Sequence, residues 1–204
     1  DNIDVDYAKD QGLHVINTPA ASSSSVAELV FAHLFGMVRF LHQSNREMPL
    51  EGDSRFKDLK KAYATGSELR GKKIGIIGFG RMGQIRAQAL EKYESALVLS
   101  VYEEKTLPSS CAYAISKNAM QIINNPEIDA VFICTPNYLN KSLTIKALEA
   151  GKHVFCEKPP AFNSEEVKEI IIAERESGKK LMYGFNHRHH GSIQHIKKLI
   201  ESKE

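Results

Sequence analysis

Hydrophobic and polar positions divide the chain into two stretches of different rhythm. From residue 71 onward, short apolar runs rich in β-branched residues alternate with amphipathic ones. Strands are predicted at 73–77, 97–102, 130–134, 153–156 and 181–185. Helices are predicted at about 81–93, 117–124, 140–150, 164–177 and 191–202, with Gly151 and Gly178 closing two of them. Buried strands alternating with helices predict a parallel sheet covered on both faces and joined by right-handed crossovers.

Residues 1–70 lack that alternation. Leu13-His14-Val15-Ile16-Asn17 reads as a short strand ended by Thr18-Pro19. Ser25, with Glu28 three residues later, has the form of a capping box. The helix it opens is predicted over 24–45, because Val26, Leu29, Val30, Leu34, Met37, Val38 and Leu41 recur at a helical period. Phe31, Phe35 and Phe40 widen the stripe beyond one face. Such a helix needs cover on most sides, which a packed core position or a homodimer interface would supply. Residues 46–70 are polar and irregular, predicting a surface arm or linker in which Lys57, Lys60 and Lys61 form a solvated face. The expected division is therefore 1–70 and 71–204.

Composition narrows the partners. A length of 204 residues suits one domain, or one with an appendage; 42% hydrophobic and 25% charged residues suit a soluble globular protein. A net charge of +2 is too close to neutral to argue for nucleic acid or an anionic membrane. The longest apolar stretch, Val26 to Leu41, carries Glu28, His33 and Arg39 and falls short of the ~20 apolar residues of a bilayer span. Cys111, Cys134 and Cys156 are odd in number and widely spaced, so reduced cysteines in a cytoplasmic protein are expected rather than disulfides or zinc. The start, Asp1-Asn2-Ile3-Asp4, has no basic signal-peptide region and no initiator Met, which points to a longer reading frame.

Candidate chemistry begins at Lys73-Ile74-Gly75-Ile76-Ile77-Gly78-Phe79-Gly80-Arg81-Met82-Gly83, a strand followed by a GxGxxG turn and a helix. Gly78 permits a tight turn, Gly80 lets backbone approach a diphosphate, and Gly83 lets helix and strand pack closely. Amides of the first helical turn, at Arg81 and Met82, then face the phosphates. The second strand runs into Glu103, where a carboxylate would accept hydrogen bonds from the adenosine ribose and repel a 2′-phosphate. NAD is thus favoured over NADP, although Lys105 stands close by. The bland alternative makes Glu103 and Glu104 solvated turn residues.

Two family resemblances meet at this fingerprint. Residues 1 to about 84 resemble the D-isomer-specific 2-hydroxyacid dehydrogenases, most closely their D-3-phosphoglycerate dehydrogenase branch, in Asp1-Asn2-Ile3-Asp4, Val15-Ile16-Asn17-Thr18-Pro19, Ser25-Val26-Ala27-Glu28-Leu29, Asn45-Arg46-Glu47 and Glu68-Leu69-Arg70-Gly71-Lys72-Lys73. Residues from about 74 to 204 resemble the NAD-binding domain of the Gfo/Idh/MocA oxidoreductases. The matching stretches are Asn125-Pro126-Glu127-Ile128-Asp129-Ala130-Val131, Cys134-Thr135-Pro136-Asn137, Ala147 to Val154, Glu157-Lys158-Pro159 and Gly184-Phe185-Asn186. The chain reads as a hybrid: a Rossmann-type doubly wound α/β domain preceded by a long helix and a linker arm.

The second resemblance implies that Lys158 sits beside nicotinamide and substrate and helps catalysis, in a Lys–Pro peptide that is often cis. It implies that Glu157, Thr135, Pro136 and Asn137 border the cofactor, and Asn186 and Arg188 the substrate. It further implies hydride transfer between NAD and a hydroxyl or carbonyl of a sugar, polyol or related small molecule. A second domain, holding Asp and His acid/base partners, is expected beyond these residues. Three departures stand out: Asn140 where His is common, a shortened helix between Glu103 and Ser116, and no visible Arg–Glu–His set of the hydroxyacid dehydrogenases. Alternative readings are a D-2-hydroxyacid dehydrogenase or a module that holds NAD without turnover. His187-Arg188-His189-His190 reads as a loop after a strand, and no metal is expected.

Overall fold

Lys72–Ile77 forms the centre of the molecule because its apolar residues need cover from two sides. The computed structural model describes residues 4–15, 32, 34–36, 38–92, 96–185, 196–197 and 199–200. Six strands form one parallel sheet: β1 (Lys72–Ile77), β2 (Ala96–Tyr102), β3 (Ala114–Ile115), β4 (Ala130–Ile133), β5 (His153–Cys156) and β6 (Leu181–Tyr183). Their order is β3-β2-β1-β4-β5-β6. That reversal of direction beside β1 is the doubly wound arrangement, with its ligand crevice at the carboxyl ends of the strands.

Alternation along each strand separates two cores. Ile74, Ile76, Phe132 and Phe155 are buried on one face, beneath Ala87 and Leu90 of the helix that follows β1. Ile77, Val131, Ile133, Val154 and Cys156 are buried on the other, with Ile122, Leu143, Ala147 and Leu148.

The chain begins with α1 (Val5–Asp10), capped by Asp4, whose Oδ1 accepts from the Tyr7 amide at 2.9 Å. Leu13–Val15 is not a strand, contrary to expectation, and Ile16 and Asn17 lie outside the described residues. The expected helix over 24–45 lies largely outside them too. Its described part is helical through Val38, then breaks at Phe40, which adopts the left-handed φ of 55°. Leu34 is buried in the core containing Ile74 and Phe155, with Val38 packed against it. Cover for these two comes from the chain itself, whereas Phe35 stays half exposed.

Up to Tyr63 the expected irregular arm is instead part of helix α2 (Leu41–Tyr63), which departs from helical φ/ψ at Arg55, while residues 64–70 are irregular as expected. Tyr63 donates a hydrogen bond to Glu47 and stacks near Phe40, ring centroids 6.1 Å apart. In a straight helix, residues 47 and 63 would stand about 24 Å apart. The helix therefore doubles back at Arg55. Its sequence is full of Glu, Lys and Arg, good helix formers that leave no apolar stripe to read.

Further helices among the described residues are α3 (Arg81–Lys92), α4 (Ala119–Ile123), α5 (Asn137–Glu149) and α6 (Ser164–Ser177), and residues 196–197 and 199–200 are also helical. The two-residue edge strand β3 escapes sequence reading, and residues 103–113 contain no helix. Pro108 lacks the amide a helix there would need. Among the described residues, no helix is long and apolar enough to cross a membrane.

Candidate functional site

Strand β1 is followed by Gly78, whose φ of 87° is left-handed and favours glycine. Its amide and that of Phe79 both donate to the Tyr102 carbonyl, at 2.8 and 3.1 Å, which ties the turn to the end of β2. Helix α3 then starts so close to the turn that a Cβ on Gly83 would lie 2.3 Å from the Gly78 carbonyl oxygen. Opening amides of a helix have no intrahelical acceptor, so those of Arg81, Met82 and Gly83 remain for another partner.

Across from this turn stands Glu103, immediately after β2. Its Oε2 lies 3.7 Å from where a Cβ on Gly80 would be, and its Oε1 accepts weakly from the Lys105 amide at 3.4 Å. Gly78, Gly80, Glu103, Thr135 and Pro136 all line one cleft of about 1090 Å³. Its walls come from the carboxyl ends of β1, β2 and β4, the expected side of the sheet. The cradle fits a dinucleotide diphosphate: glycine backbone at the base, open helix amides, and one carboxylate at the neighbouring strand tip.

The other expected site residues take different places. Gly83 is buried behind the turn, Arg81 is exposed and Met82 half-buried. Asn137 begins α5 and is exposed. Lys158 is exposed in the loop after β5, and its peptide bond to Pro159 is cis. Neither Glu157 nor Lys158 is among the described residues that line the cleft. Expectation puts Glu157 at the cofactor, but its carboxylate pairs with Arg86. Its Oε2 also lies 3.1 Å from where a Cβ on Gly184 would stand. Asn186, Arg188 and the histidines at 187, 189 and 190 lie outside the described residues.

Sequence reading missed Arg86. It is the one charged member of α3's buried set, Gly83, Arg86, Ala87, Ala89 and Leu90. Its side chain is 1% exposed, and its guanidinium lies 5.4 Å from the Phe155 ring centroid and binds Glu157 just past the end of β5. A lone arginine at i+3 from the last fingerprint glycine, among alanines and a leucine, was the available signal. The same neighbourhood acts on Cys134. Burial pushes its thiol up to about 12, the Glu157 carboxylate adds to the rise, and Arg86 opposes it. Asn140, in place of the common His, is wholly buried and joins the loops after β4 and β5.

The model of a family described as "Oxidoreductase family, NAD-binding Rossmann fold" (GFO_IDH_MocA) matches residues 72–185. The chain belongs to the Gfo/Idh/MocA family. Among curated relatives, the uncharacterized oxidoreductase YrbE of Bacillus subtilis is 32% identical over 136 residues, covering 64% of this chain and 40% of its own. Myo-inositol 2-dehydrogenase of Thermotoga maritima is 30% identical over 139 residues, covering 64% and 41%. Among solved structures, biliverdin reductase from Synechocystis, in complex with biliverdin and NADP+, superposes with a TM-score of 0.58 at 28% identity, covering 63% of this chain and 42% of that one. The chain thus spans about two-fifths of the length of the Gfo/Idh/MocA relatives it matches. The family match begins at residue 72, and it does not show the hydroxyacid-dehydrogenase likeness expected of residues 1 to about 84.

Proposed function

We propose that this chain supplies the NAD-binding part of an oxidoreductase that moves hydride between a nicotinamide cofactor and a hydroxyl or carbonyl of a sugar, polyol or related substrate. One observation carries the reading: the Glu103 carboxylate faces Gly80 across the mouth of the glycine turn. Gly78, Gly80 and the opening amides of Arg81, Met82 and Gly83 hold the diphosphate. Glu103 accepts from the ribose hydroxyls and repels a 2′-phosphate, which selects NAD over NADP. Thr135, Pro136 and Asn137 border the cofactor at the end of β4. The cofactor, when bound, supplies the hydride acceptor or donor.

Lys158 is the catalytic residue of this reading. Its ammonium donates a hydrogen bond to the substrate oxygen and steadies negative charge developing there. Glu157 serves the same loop through Arg86 rather than by touching the cofactor. Residues 1–70 form an appendage of hydroxyacid-dehydrogenase type, and residues 71–204 the nucleotide domain. The segment over 24–45 supplies a homodimer contact, and the protein works in the cytoplasm.

Calorimetric titration with NAD+ and NADP+ tests the cofactor claim. Wild type should bind NAD+ at least about tenfold more tightly than NADP+, since 1.4 kcal/mol of discrimination suffices for that ratio. Glu103→Ala should weaken NAD+ and narrow the gap. Absence of heat with both coenzymes refutes the reading. A parallel dehydrogenase assay with inositols and sugars separates enzyme from module: turnover lost in Lys158→Ala supports catalysis, and saturable NAD+ binding without turnover marks a module.

A further inference from the structure

Asn140 has no exposed surface, yet it carries two N–H donors and an acceptor oxygen. Leaving such groups unpaired in a core costs about 1–3 kcal/mol. Here they are paired. Nδ2 donates to the Glu157 carbonyl at 3.0 Å and to the Pro159 carbonyl at 2.8 Å. Oδ1 accepts from Thr135 Oγ1 at 3.2 Å. The two carbonyls it grips stand on either side of a single residue, Lys158. The Glu157 amide is held independently, donating to the Ile133 carbonyl at 2.9 Å. Further along the same helix, Leu143, Ala147 and Leu148 enter the apolar core, so the face that packs the sheet ends in one polar group aimed at the lysine loop.

A lysine side chain has four rotatable bonds and about 2 kcal/mol of rotamer entropy. Its reach can be confined only by fixing the backbone from which it springs. We propose that Asn140 is a positioning residue for Lys158. Its amide clamps the backbone on both sides of the lysine and, through Thr135, registers that backbone against the wall of the nucleotide cleft. This inference rests on the reading of Lys158 given above. It assigns to Asn140 a role that packing alone would not require.

The test uses the whole chain. Hydrogen exchange, read by mass spectrometry, reports the Glu157 amide, which donates to the Ile133 carbonyl; Pro159 and Pro160 have no amide proton. In Asn140→Ala, exchange there should accelerate about tenfold relative to wild type, the effect of losing roughly 1.4 kcal/mol of local hydrogen bonding. Anhydride labelling then follows Lys158 against Lys168, whose side chain on α6 is 66% exposed. NAD+ should slow Lys158 labelling in wild type, and this protection should fall at least about fivefold in Asn140→Ala even where NAD+ affinity is retained.

Asn140→Asp covers the case in which the alanine variant does not fold. It keeps the shape, and its neutral acid donates one hydrogen bond while its carboxylate donates none. Its exchange ratio to wild type at the Glu157 amide should therefore grow as pH rises from about 5 to about 8, since burial raises a carboxyl's pKa into that span. Exchange and protection equal to wild type in folded Asn140→Ala, or a pH-independent ratio of one in Asn140→Asp, overturns the proposal. If wild-type Lys158 ignores NAD+, the underlying reading of the lysine falls, and the exchange ratios alone still decide whether Asn140 clamps the segment.

Discussion

Gly80 and Gly83 stand three residues apart in one motif, and the structure gives them opposite jobs. A methyl on Gly83 would meet the Gly78 carbonyl oxygen at 2.3 Å, the Gly78 carbonyl carbon at 3.2 Å and Ile76 Cγ2 at 3.3 Å. Carbon and carbonyl oxygen ordinarily approach no closer than about 3.3 Å, so roughly 1 Å of clearance is missing. The obstructing oxygen is backbone, so no rotamer relieves it. Helix α3 must withdraw from β1, loosening Ala87 and Leu90, now 0% and 1% exposed, from the sheet. Overpacking of this kind costs about 1–3 kcal/mol, offset by up to about 1 kcal/mol from replacing helical glycine with alanine. We expect Gly83→Ala to lose about 1–2 kcal/mol in urea unfolding. A methyl on Gly80 meets nothing nearer than Glu103 Oε2 at 3.7 Å, ordinary contact, and Gly80 is not among the glycines with positive φ. Gly80→Ala should stay within about 0.5 kcal/mol of wild type yet bind NAD+ at least about tenfold more weakly, because the methyl fills the approach to the diphosphate. Stability lost in Gly80→Ala and kept in Gly83→Ala would refute this assignment.

Arg86 and Glu157 form a pair whose side chains are 1% and 14% exposed. Arg86→Met leaves a largely buried carboxylate behind and should cost about 3–5 kcal/mol; a Glu157→Gln background should recover part of that, with a coupling of at least about 1 kcal/mol in a urea double-mutant cycle. Additive effects would show that the two groups do not depend on each other. His153 is half-buried, and its Nδ1 accepts from the Lys180 amide at 3.1 Å. Burial, followed by Lys179, Lys180 and Lys72, holds its pKa below the ordinary value, against a smaller opposing effect of Asp129. Below about pH 6.5 the unfolded chain therefore binds a proton that the folded one resists, so stability falls as pH drops through that value. His153→Asn keeps an acceptor, Oδ1, near the place of Nδ1 and removes the titration; its unfolding midpoint should fall less than that of wild type between about pH 7.5 and 5.5, and parallel curves would count against His153.

Strands β1, β2, β4 and β5 were legible in the sequence because each is a short apolar run with one or both faces buried, and burial is what hydrophobic pattern records; β6 is a shorter apolar run, half-buried throughout. Helices α3 and α6 were legible for the same reason, sharpened by Gly83 at one end and Gly178 at the other. The polar helix α2 was not. Its residues favour helix by propensity, but its return from Tyr63 to Glu47 depends on an irregular Arg55 that no periodicity announces. Edge strand β3 is two exposed residues with no pattern at all.

What the sequence determined alone was the alternation of strands and helices from β1 onward, edge strand β3 excepted, and the glycine turn, since both follow from local spacing: three glycines, a preceding apolar strand, and an acid at the next strand's end. Partnership was left to the tertiary structure. Glu157 turned inward to Arg86, 71 positions away, and Asn140 reached two carbonyls 17 and 19 positions on. Such choices depend on which buried polar group lies within about 3 Å once the strands have aligned, and spacing along a chain carries no record of distance across a sheet.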